Sequence, residues 1–394
     1  MLVVGGTYLE RTQRPSREDI FGSGLRASIS LARLDEKLKF VSGLDSNSRL
    51  SAVHIAREYS VNADWIQRNE PVHFRYFTPL SPPVVSGRLA SLEKSITATN
   101  DAALVFGMIE RPQRDITAGS LVFDPQQPGD LVALDVHGIK ADRTAYVLNR
   151  WEAVSVTGET APSDAAQALL KASGVEVVVV KCGAQGAVVA TRDSVDRVGA
   201  YPTSRVWPLG SGDVFAAGFA YAWAIGGDDA IPAARFASRA AAYACGGNAL
   251  PLPANFREWQ PENEELAPGE APVYLAGPFF TLAEQWLVEH ARSNLAGLGA
   301  QVFSPLHDVG RVGSQVARQD LDGLARCRSV LALLDGADSG TWFEVGWAHR
   351  ANIPVIGYCE PQSHGELKMA VGNDIEVHTD FSTAIYRAIW AAMT

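Results

Sequence analysis

Short apolar runs alternate with segments of helical periodicity along most of the chain. This alternation predicts strands joined by crossover helices, and therefore α/β domains built on largely parallel sheets. In the first part of the chain, six runs have the length of a strand: Leu2–Val4, Lys39–Val41, Ala103–Phe106, Leu131–Asp135, Ala145–Leu148 and Val175–Lys181. The apolar stretch Asp213–Ile225 follows a glycine turn and predicts a buried helix.

The pattern stops at residues 257–271, REWQPENEELAPGEA, which contain two prolines, five glutamates and little that could be buried. This composition predicts a linker between a domain at 1–256 and a second domain at 272–394. The second domain restarts the alternation, with strands predicted at Val273–Ala276, Gln301–Phe303, Ser329–Leu334 and Pro354–Tyr358. Helices are predicted at Leu282–Leu298 and from about Thr341.

Composition narrows the class of protein. The 394 residues favour two or three domains, and the net charge of −10 argues against a nucleic-acid partner, which needs a basic face. The four cysteines are scattered without C-x-x-C or zinc spacing. No uncharged apolar run is long enough to span a membrane, and the N-terminus lacks the features of a signal peptide. We therefore expect a cytoplasmic protein with no membrane partner.

Acidic residues follow a strongly apolar strand of the second domain. Asp338-Ser-Gly-Thr-Trp-Phe-Glu344 comes directly after SVLALLDG, so a carboxylate lies just beyond the carboxyl end of a strand, where open sheets bind ligands. Asp320 lies on the preceding predicted helix. Two acids that converge on one crevice suit chemistry at an anomeric carbon. The same D-S-G-T turn would also serve simply as a helix N-cap.

Four motifs in this order resemble the nucleoside 2-deoxyribosyltransferase family over the last third of the chain. They are Tyr274-Leu-Ala-Gly-Pro278, Phe303-Ser-Pro-Leu-His307, Asp320, and the D-x-G-x-x-x-E-x-G-x-A segment that runs from Asp338 to Ala348. The resemblance implies a flavodoxin-like or Rossmann-like parallel sheet that needs no cofactor. It also implies a homo-oligomer.

Roles for individual residues follow from that resemblance alone. Glu344 is expected to form a covalent deoxyribosyl intermediate, with Asp320 assisting at the base or at the nucleophile. Asp338 is expected to accept a hydrogen bond from the sugar 5′-hydroxyl. The remaining residues expected at the substrate are Tyr274, Gly277, Ser339 and Gly340, although Tyr274 could equally be a core tyrosine.

The position of Asp338 bears on the substrate. Relatives that hydrolyse deoxynucleoside 5′-monophosphates tend to carry a phosphate-binding serine there, and a carboxylate would repel a phosphate. Asp338 therefore favours a nucleoside, while the adjacent Ser339 keeps a nucleotide open. Transfer to a second base and hydrolysis by water also both stay open.

A glycine turn marks the first domain. In Gly210-Ser-Gly-Asp213, backbone N–H groups at a helix start would form an anion site, and Asp213 could accept a proton from an attacking hydroxyl. The segment resembles the signature of the ribokinase-like (PfkB) sugar and nucleoside kinases, and the likeness extends over roughly residues 1–253. It implies a ribokinase-like α/β domain that uses ATP and Mg²⁺, with Asp213 as the catalytic base.

Two further segments agree with this family. Asn149-Arg-Trp-Glu152 resembles its N-x-x-E segment, with Asn149 at the phosphate and Glu152 at the metal. Lys181-Cys-Gly-Ala-Gln-Gly186 resembles its K-x-G-x-x-G turn. The resemblance thus implies a nucleotide site formed by Gly210, Ser211, Gly212, Lys181, Gly183, Gly186 and Asn149.

The sequence departs from the family where the acceptor should bind. Glu10 ends the run that usually carries an aspartate, and Arg26 stands where an asparagine grips sugar hydroxyls. Arg26 could instead hold an anion or a carboxylate of the substrate.

Three functions are consistent with the whole chain. The first is a bifunctional enzyme that cleaves or exchanges the base of a (deoxy)nucleoside and phosphorylates a sugar or nucleoside. The second is a glycosidase regulated by a non-catalytic, nucleotide-binding kinase-like module. The third is a pair of ligand-binding sensors.

Overall fold

The computed structural model describes residues 1–127, 134–310, 316–336, 338–360, 367–373 and 375–394. Contacts between Cα atoms divide the chain into two units. The first is Met1–Cys182, Gly186–Thr203 and Trp207–Glu264, and the second is Gly183–Gln185, Ser204–Val206 and Glu265–Thr394. No helix of the described residues is both long and apolar enough to cross a membrane.

The first unit alternates strands and helices. Its strands are β1 (Leu2–Val4), β2 (Leu9–Thr12), β3 (Arg17–Ile20), β4 (Lys39–Leu44), β5 (Asn62–Gln67), β6 (His73–Tyr76), β7 (Val84–Ser86), β8 (Ile96–Phe106), β9 (Arg114–Asp124), β10 (Ile139–Asn149), β11 (Val177–Lys181), β12 (Ala187–Ala190) and β13 (Val195–Val198). Its α-helices are α1 (Gly22–Leu31), α2 (Arg49–Glu58), α3 (Arg150–Thr157), α4 (Pro162–Ser173), α5 (Ser211–Ala220) and α6 (Ala230–Cys245). A π-helical turn, Tyr221–Ile225, continues α5.

A nine-stranded sheet, β13-β12-β11-β10-β9-β8-β1-β4-β5, forms the centre of this unit. It is parallel except at β12 and β13. Both faces are covered, because α1, α5 and α6 contribute to one apolar cluster and α3 and α4 to another. Burial on two faces explains why a strand such as β11 is a continuous valine run rather than an alternating one.

A smaller sheet, β3-β2-β6-β7, accompanies the large one. Tyr8, Val72 and Ala90 form its buried apolar cluster. Strand β2 carries Glu10, whose side chain is buried. This small sheet, the lid sheet, therefore carries a buried carboxylate.

The second unit is a five-stranded sheet with helices between its strands. The strands are β14 (Pro272–Ala276), β15 (Gln301–Phe303), β16 (Ser329–Leu333), β17 (Val355–Tyr358) and β18 (Glu376–His378). The helices are α7 (Leu282–Gly297), α8 (Pro305–Asp308), α9 (Val316–Leu324), α10 (Ser339–Arg350), α11 (Lys368–Val371) and α12 (Phe381–Met393).

All pairings in this sheet are parallel, in the order β15-β14-β16-β17-β18. Counted within the unit this is the 2-1-3-4-5 order of flavodoxin-like folds. Connections leave β14 and β16 in opposite directions, so the carboxyl ends of these two strands border the crevice where such folds bind ligands.

One predicted strand is wrong where it can be compared. Residues 131–133 of the expected strand Leu131–Asp135 lie outside the described residues, and Leu134–His137 form a 3₁₀ helix. A short apolar run cannot by periodicity distinguish a strand from a buried helical turn. Within the expected linker, the ring of Trp259 stacks on Phe256 with centroids 5.3 Å apart, and the division between the units falls between Glu264 and Glu265.

Candidate functional site

Glu344 in the second unit lies on α10, the helix that follows β16. The hydroxyl of Tyr274, on β14, donates a hydrogen bond of 2.7 Å to Glu344 Oε1. Tyr274 is fully buried and its ring stacks on Phe303 with centroids 5.6 Å apart. One carboxylate oxygen of Glu344 is therefore held in place at the β14–β16 crevice.

The surroundings of Glu344 disfavour its charge. Burial raises the pKa of Glu344 to about 7, the hydrogen bond from Tyr274 opposes this, and Asp320 and Asp338 add to the rise. Burial also raises the pKa of Asp320. A pKa of about 7 places the ionisation of Glu344 near neutral pH, where a shifted carboxylate is a candidate for catalysis.

Asp320 lies on α9 and contributes an unusual feature. Its Oδ1 is buried and has no hydrogen-bond partner within the described part of the chain. A buried carboxylate oxygen without a donor is costly unless a bound molecule supplies one. The charge of Asp320 contributes to the raised pKa of Glu344, so the two carboxylates influence each other.

Asp338 is the N-cap of α10. Its carboxylate accepts hydrogen bonds from Gly340 N at 3.2 Å, Thr341 N at 3.1 Å and Thr341 Oγ1 at 2.7 Å. Burial would raise its pKa, but these hydrogen bonds hold the pKa of Asp338 below its usual value. The capping interpretation is therefore observed, while a role at the sugar hydroxyl stays a prediction. Ser339 and Gly340 are exposed at the same helix start.

Gly277 follows β14 where the two strand ends come close. A Cβ at this position would lie 2.9 Å from Leu333 Cβ, closer than side chains approach. A larger residue would therefore separate β14 from β16 at the edge of the crevice.

The candidate kinase site in the first unit is built around the start of α5. Gly210 has φ of +81°, a left-handed conformation that favours glycine, and it turns the chain into the helix. Lys181, at the end of β11, lies against this start, since its Nζ is 3.5 Å from where a Cβ of Gly212 would be. An ammonium beside a helix N-terminus attracts phosphate.

Asp213 lies in the first turn of α5, and both of its carboxylate oxygens accept hydrogen bonds. Arg26 Nη1 donates to Asp213 Oδ2 at 2.7 Å, and Gln126 Nε2 donates to Oδ1 at 3.2 Å. Arg26 also forms an ion pair with Glu10 of the lid sheet. The sequence suggested that Arg26 would hold an anion of the substrate, and in the structure its partners are two carboxylates of the chain itself.

Lys181 has a partner that sequence analysis missed. Its Nζ forms an ion pair of 2.5 Å with Asp124, which ends β9 and is 1% exposed. Burial would lower the pKa of Lys181, but Asp124 raises it above its usual value. The only sequence signal was an aspartate at the end of an apolar strand, which is common in α/β proteins.

Asn149 and Glu152 form a capping box at the start of α3. Glu152 N donates to Asn149 Oδ1 at 2.9 Å, and Asn149 N donates to Glu152 Oε2 at 2.8 Å. Burial, and then the charge of Asp124, raise the pKa of Glu152 to about 7. Two buried carboxylates that share one ammonium leave negative charge uncompensated.

The buried carboxylates of Asp124 and Glu152 are the side chains to consider for the expected Mg²⁺. The described residues contain no group of three or more His, Cys, Asp or Glu side chains arranged to hold a metal ion. Mg²⁺ in phosphoryl-transfer sites, however, takes only one or two protein carboxylates together with substrate phosphates. Glu152 and Asp124 are the side chains that would hold it.

The turn between β11 and β12 contains Gly183 and Gly186, with φ of +57° and +82°. A Cβ on Gly186 would lie 2.0 Å from Val198 O. The second glycine therefore allows the close packing of the turn, and a role of either glycine at a nucleotide stays a prediction.

Two parts of the chain match the models of two enzyme families. Residues 118–250 match the pfkB family carbohydrate kinase model, and residues 273–377 match the nucleoside 2-deoxyribosyltransferase model. The predicted combination of the two families, and the α/β class of both domains, are confirmed. No curated protein matches the chain.

Several solved structures are similar to the chain. Aminoimidazole riboside kinase from Salmonella enterica, complexed with aminoimidazole riboside and an ATP analog, is 13% identical with a TM-score of 0.48, covering 65% of this chain and 96% of that one. Methanocaldococcus jannaschii nucleoside kinase is 15% identical with a TM-score of 0.46, covering 65% and 97%. Ribokinase from Thermotoga maritima is 17% identical with a TM-score of 0.45, covering 62% and 92%.

Proposed function

We propose that the second unit cleaves the N-glycosidic bond of a nucleoside through a covalent bond to Glu344. The observation that carries this proposal is the carboxylate of Glu344, fixed by Tyr274, together with an oxygen of Asp320 that finds no hydrogen-bond partner among the described residues. The match of residues 273–377 to the nucleoside 2-deoxyribosyltransferase model supports the same chemistry.

In the proposed reaction, Glu344 attacks C1′ of the sugar with the oxygen that Tyr274 does not hold. A carbon–oxygen bond forms, the bond from C1′ to the base nitrogen breaks, and the base leaves with the electron pair. Asp320, whose pKa is raised by burial, is suited to hold a proton near the departing base. Water or a second base then attacks C1′ and releases Glu344.

The charge at the start of α10 supports a nucleoside over its 5′-monophosphate. The hydrogen bonds on Asp338 keep it ionised at neutral pH. A neutral 5′-hydroxyl can donate to this carboxylate, whereas a phosphate would be repelled. The helix start and Ser339 nevertheless make the monophosphate the natural second substrate to assay.

Glu344→Gln, which keeps shape and hydrogen-bonding capacity, tests this proposal. We expect loss of base release from a panel of ribo- and deoxyribonucleosides and their 5′-monophosphates, followed by chromatography. Glu289→Gln, an exposed glutamate of the same unit that contacts His307, is the matched control and should keep full activity. Base release by Glu344→Gln at the native rate, or none by the native protein, contradicts the proposal.

For the first unit we propose binding of a nucleoside triphosphate with Mg²⁺ at the start of α5. The positive helix end, Lys181 and the carboxylates of Asp124 and Glu152 support this. The bound cation would shield the charge of the phosphates. The match of residues 118–250 to the pfkB family carbohydrate kinase model supports phosphorylation of a sugar or nucleoside as the reaction.

A second function, nucleotide binding that regulates the glycosidase, is favoured by the Arg26–Asp213 ion pair. Asp213→Asn separates the two functions. If the unit is an active kinase, this variant should lose ADP formation while base release continues. If the native protein binds ATP without forming ADP, the regulatory function is supported and the kinase function fails.

A further inference from the structure

Arg26 connects three elements at the candidate kinase site. It lies on α1, and its guanidinium bridges Glu10 of the lid sheet and Asp213 of α5. Every residue of α1 is buried, so its backbone is fixed within the unit. The side chains of Arg26 and Glu10 are 9% and 8% exposed, and that of Asp213 is 14% exposed. The bridge is therefore an interior ion-pair network rather than a surface contact.

Both carboxylate oxygens of Asp213 already accept one hydrogen bond each. A base that accepts a proton from an alcohol needs one carboxylate oxygen within hydrogen-bond distance of that alcohol. Oδ2 of Asp213 is taken by Arg26, and Oδ1 is taken by Gln126. An acceptor hydroxyl must consequently share an oxygen with one of these donors or displace it, and the charged donor is the stronger partner.

The guanidinium also fills the space above the glycine turn. A Cβ built on Gly210 would lie 2.2 Å from Arg26 Nε, so the side chain rests directly on this residue. The ring of Phe21 packs against the guanidinium, whose carbon is 4.9 Å from the ring centroid. The carboxylate of Glu10 is also held by the backbone, because Gly22 N donates a hydrogen bond of 3.0 Å to Glu10 Oε1.

Lys181 and Gly212 are not part of this bridge. Lys181 pairs with Asp124 and faces Gly212. The features that attract phosphate are therefore present while the acceptor position beside Asp213 is occupied. Binding and transfer of the phosphoryl group are separated in this arrangement.

We propose that the Arg26 guanidinium occupies the position of the acceptor hydroxyl beside Asp213. The first unit then binds a nucleotide but transfers the terminal phosphoryl group of that nucleotide slowly. This inference rests on the proposed nucleotide site at the start of α5. In the suppressed reaction, an acceptor hydroxyl gives its proton to Asp213, and its oxygen bonds to the terminal phosphorus. The bond from that phosphorus to the bridging oxygen breaks, and the nucleoside diphosphate leaves.

Replacement of Arg26 tests the proposal. Arg26→Asn frees Asp213 and opens the space over Gly210, so ADP formation from ATP with Mg²⁺ and a panel of sugars, polyols and nucleosides should rise about ten- to a hundred-fold, the weight of a charge-assisted hydrogen bond. The affinity for a non-hydrolysable ATP analogue, measured by calorimetry, should change by less than about three-fold, because Lys181 and Gly212 lie outside the bridge. Arg143→Asn removes an exposed arginine paired with Glu176 and should leave both quantities unchanged.

The single substitution leaves Glu10 and Asp213 without their cation, which could unfold the unit. Arg26→Asn combined with Glu10→Gln restores the charge balance, and circular dichroism identifies which variant is folded. A gain of ADP formation in either folded variant supports the proposal. A folded variant that binds the analogue without a gain overturns it. No binding by the native protein or the variants overturns the nucleotide site as well.

Discussion

Removal of one hydroxyl should shift the pH dependence of the glycosidic reaction. In Tyr274→Phe the ring still stacks on Phe303, but the 2.7 Å hydrogen bond to Glu344 is lost. That bond favours the ionised carboxylate, so its loss raises the pKa of Glu344 above its present value of about 7.

The size of the effect follows from the type of bond. A hydrogen bond to a charged group contributes about 1.5–3 kcal/mol, which corresponds to about one to two pKa units. Below neutral pH, where little of the carboxylate is ionised in either protein, the rate of the variant should fall by about ten- to a hundred-fold. At about pH 9.5 the two proteins should differ by only a few-fold, because Glu344 is then largely ionised in both.

The assay is kcat/KM for base release between about pH 5 and pH 10, at constant ionic strength. Tyr358→Phe is the control, because Tyr358 is a buried tyrosine of the same unit that packs on Phe381. It should leave the acidic limb where it is. An unchanged acidic limb in Tyr274→Phe, or an equal loss of rate at every pH, would refute the assignment of that limb to Glu344.

Three stability predictions also test the two sites. Glu344→Gln should stabilise the protein by up to about 3 kcal/mol above pH 7. The raised pKa of Glu344 stabilises the folded protein fully below the ordinary pKa of 4.5, and this stabilisation is lost as the pH rises through 7, so the native protein then carries a buried charge that glutamine lacks. Equal unfolding free energies of the two proteins at pH 8 would contradict this. Lys181→Met leaves Asp124 buried and unpaired, so unfolding of the first unit in urea should cost about 3–5 kcal/mol less, and unchanged stability would show that the ion pair is not required. Asp338→Ala should lower stability by about 1 kcal/mol in thermal unfolding through loss of the α10 cap, whereas Asp338→Asn should keep it; equal melting of the two contradicts the capping role.

The start of α10 and the position of Glu344 in the second unit could be predicted from the sequence. An apolar strand followed by D-x-G-x-x-x-E determines both the start of α10 and the position of Glu344 on it. The hydrogen bond between Tyr274 and Glu344 was not predicted, because it joins residues 70 positions apart through the packing of β14 beside β16. From the sequence, Tyr274 was expected either at the substrate or in the core. In the structure it is buried in the core and donates a hydrogen bond to Glu344.

The first site was less predictable. The strands of the lid sheet are short and polar, as in Leu9–Thr12 and Arg17–Ile20, so no apolar run marks them. The position of Glu10 relative to Arg26 depends on that sheet. The ion pair of Arg26 with Asp213 joins residues 187 positions apart, and no local pattern encodes such a pairing.

The central claim is that Glu344 bonds transiently to C1′ of a nucleoside sugar. A nucleoside with fluorine at C2′ should slow the second step and leave the sugar on the enzyme, and peptide mass spectrometry then locates it. We expect one adduct, on the peptide that contains Glu344, absent from Glu344→Gln and from protein incubated with the free base. Base release without an adduct, or an adduct on another residue that persists in Glu344→Gln, would contradict the covalent role of Glu344.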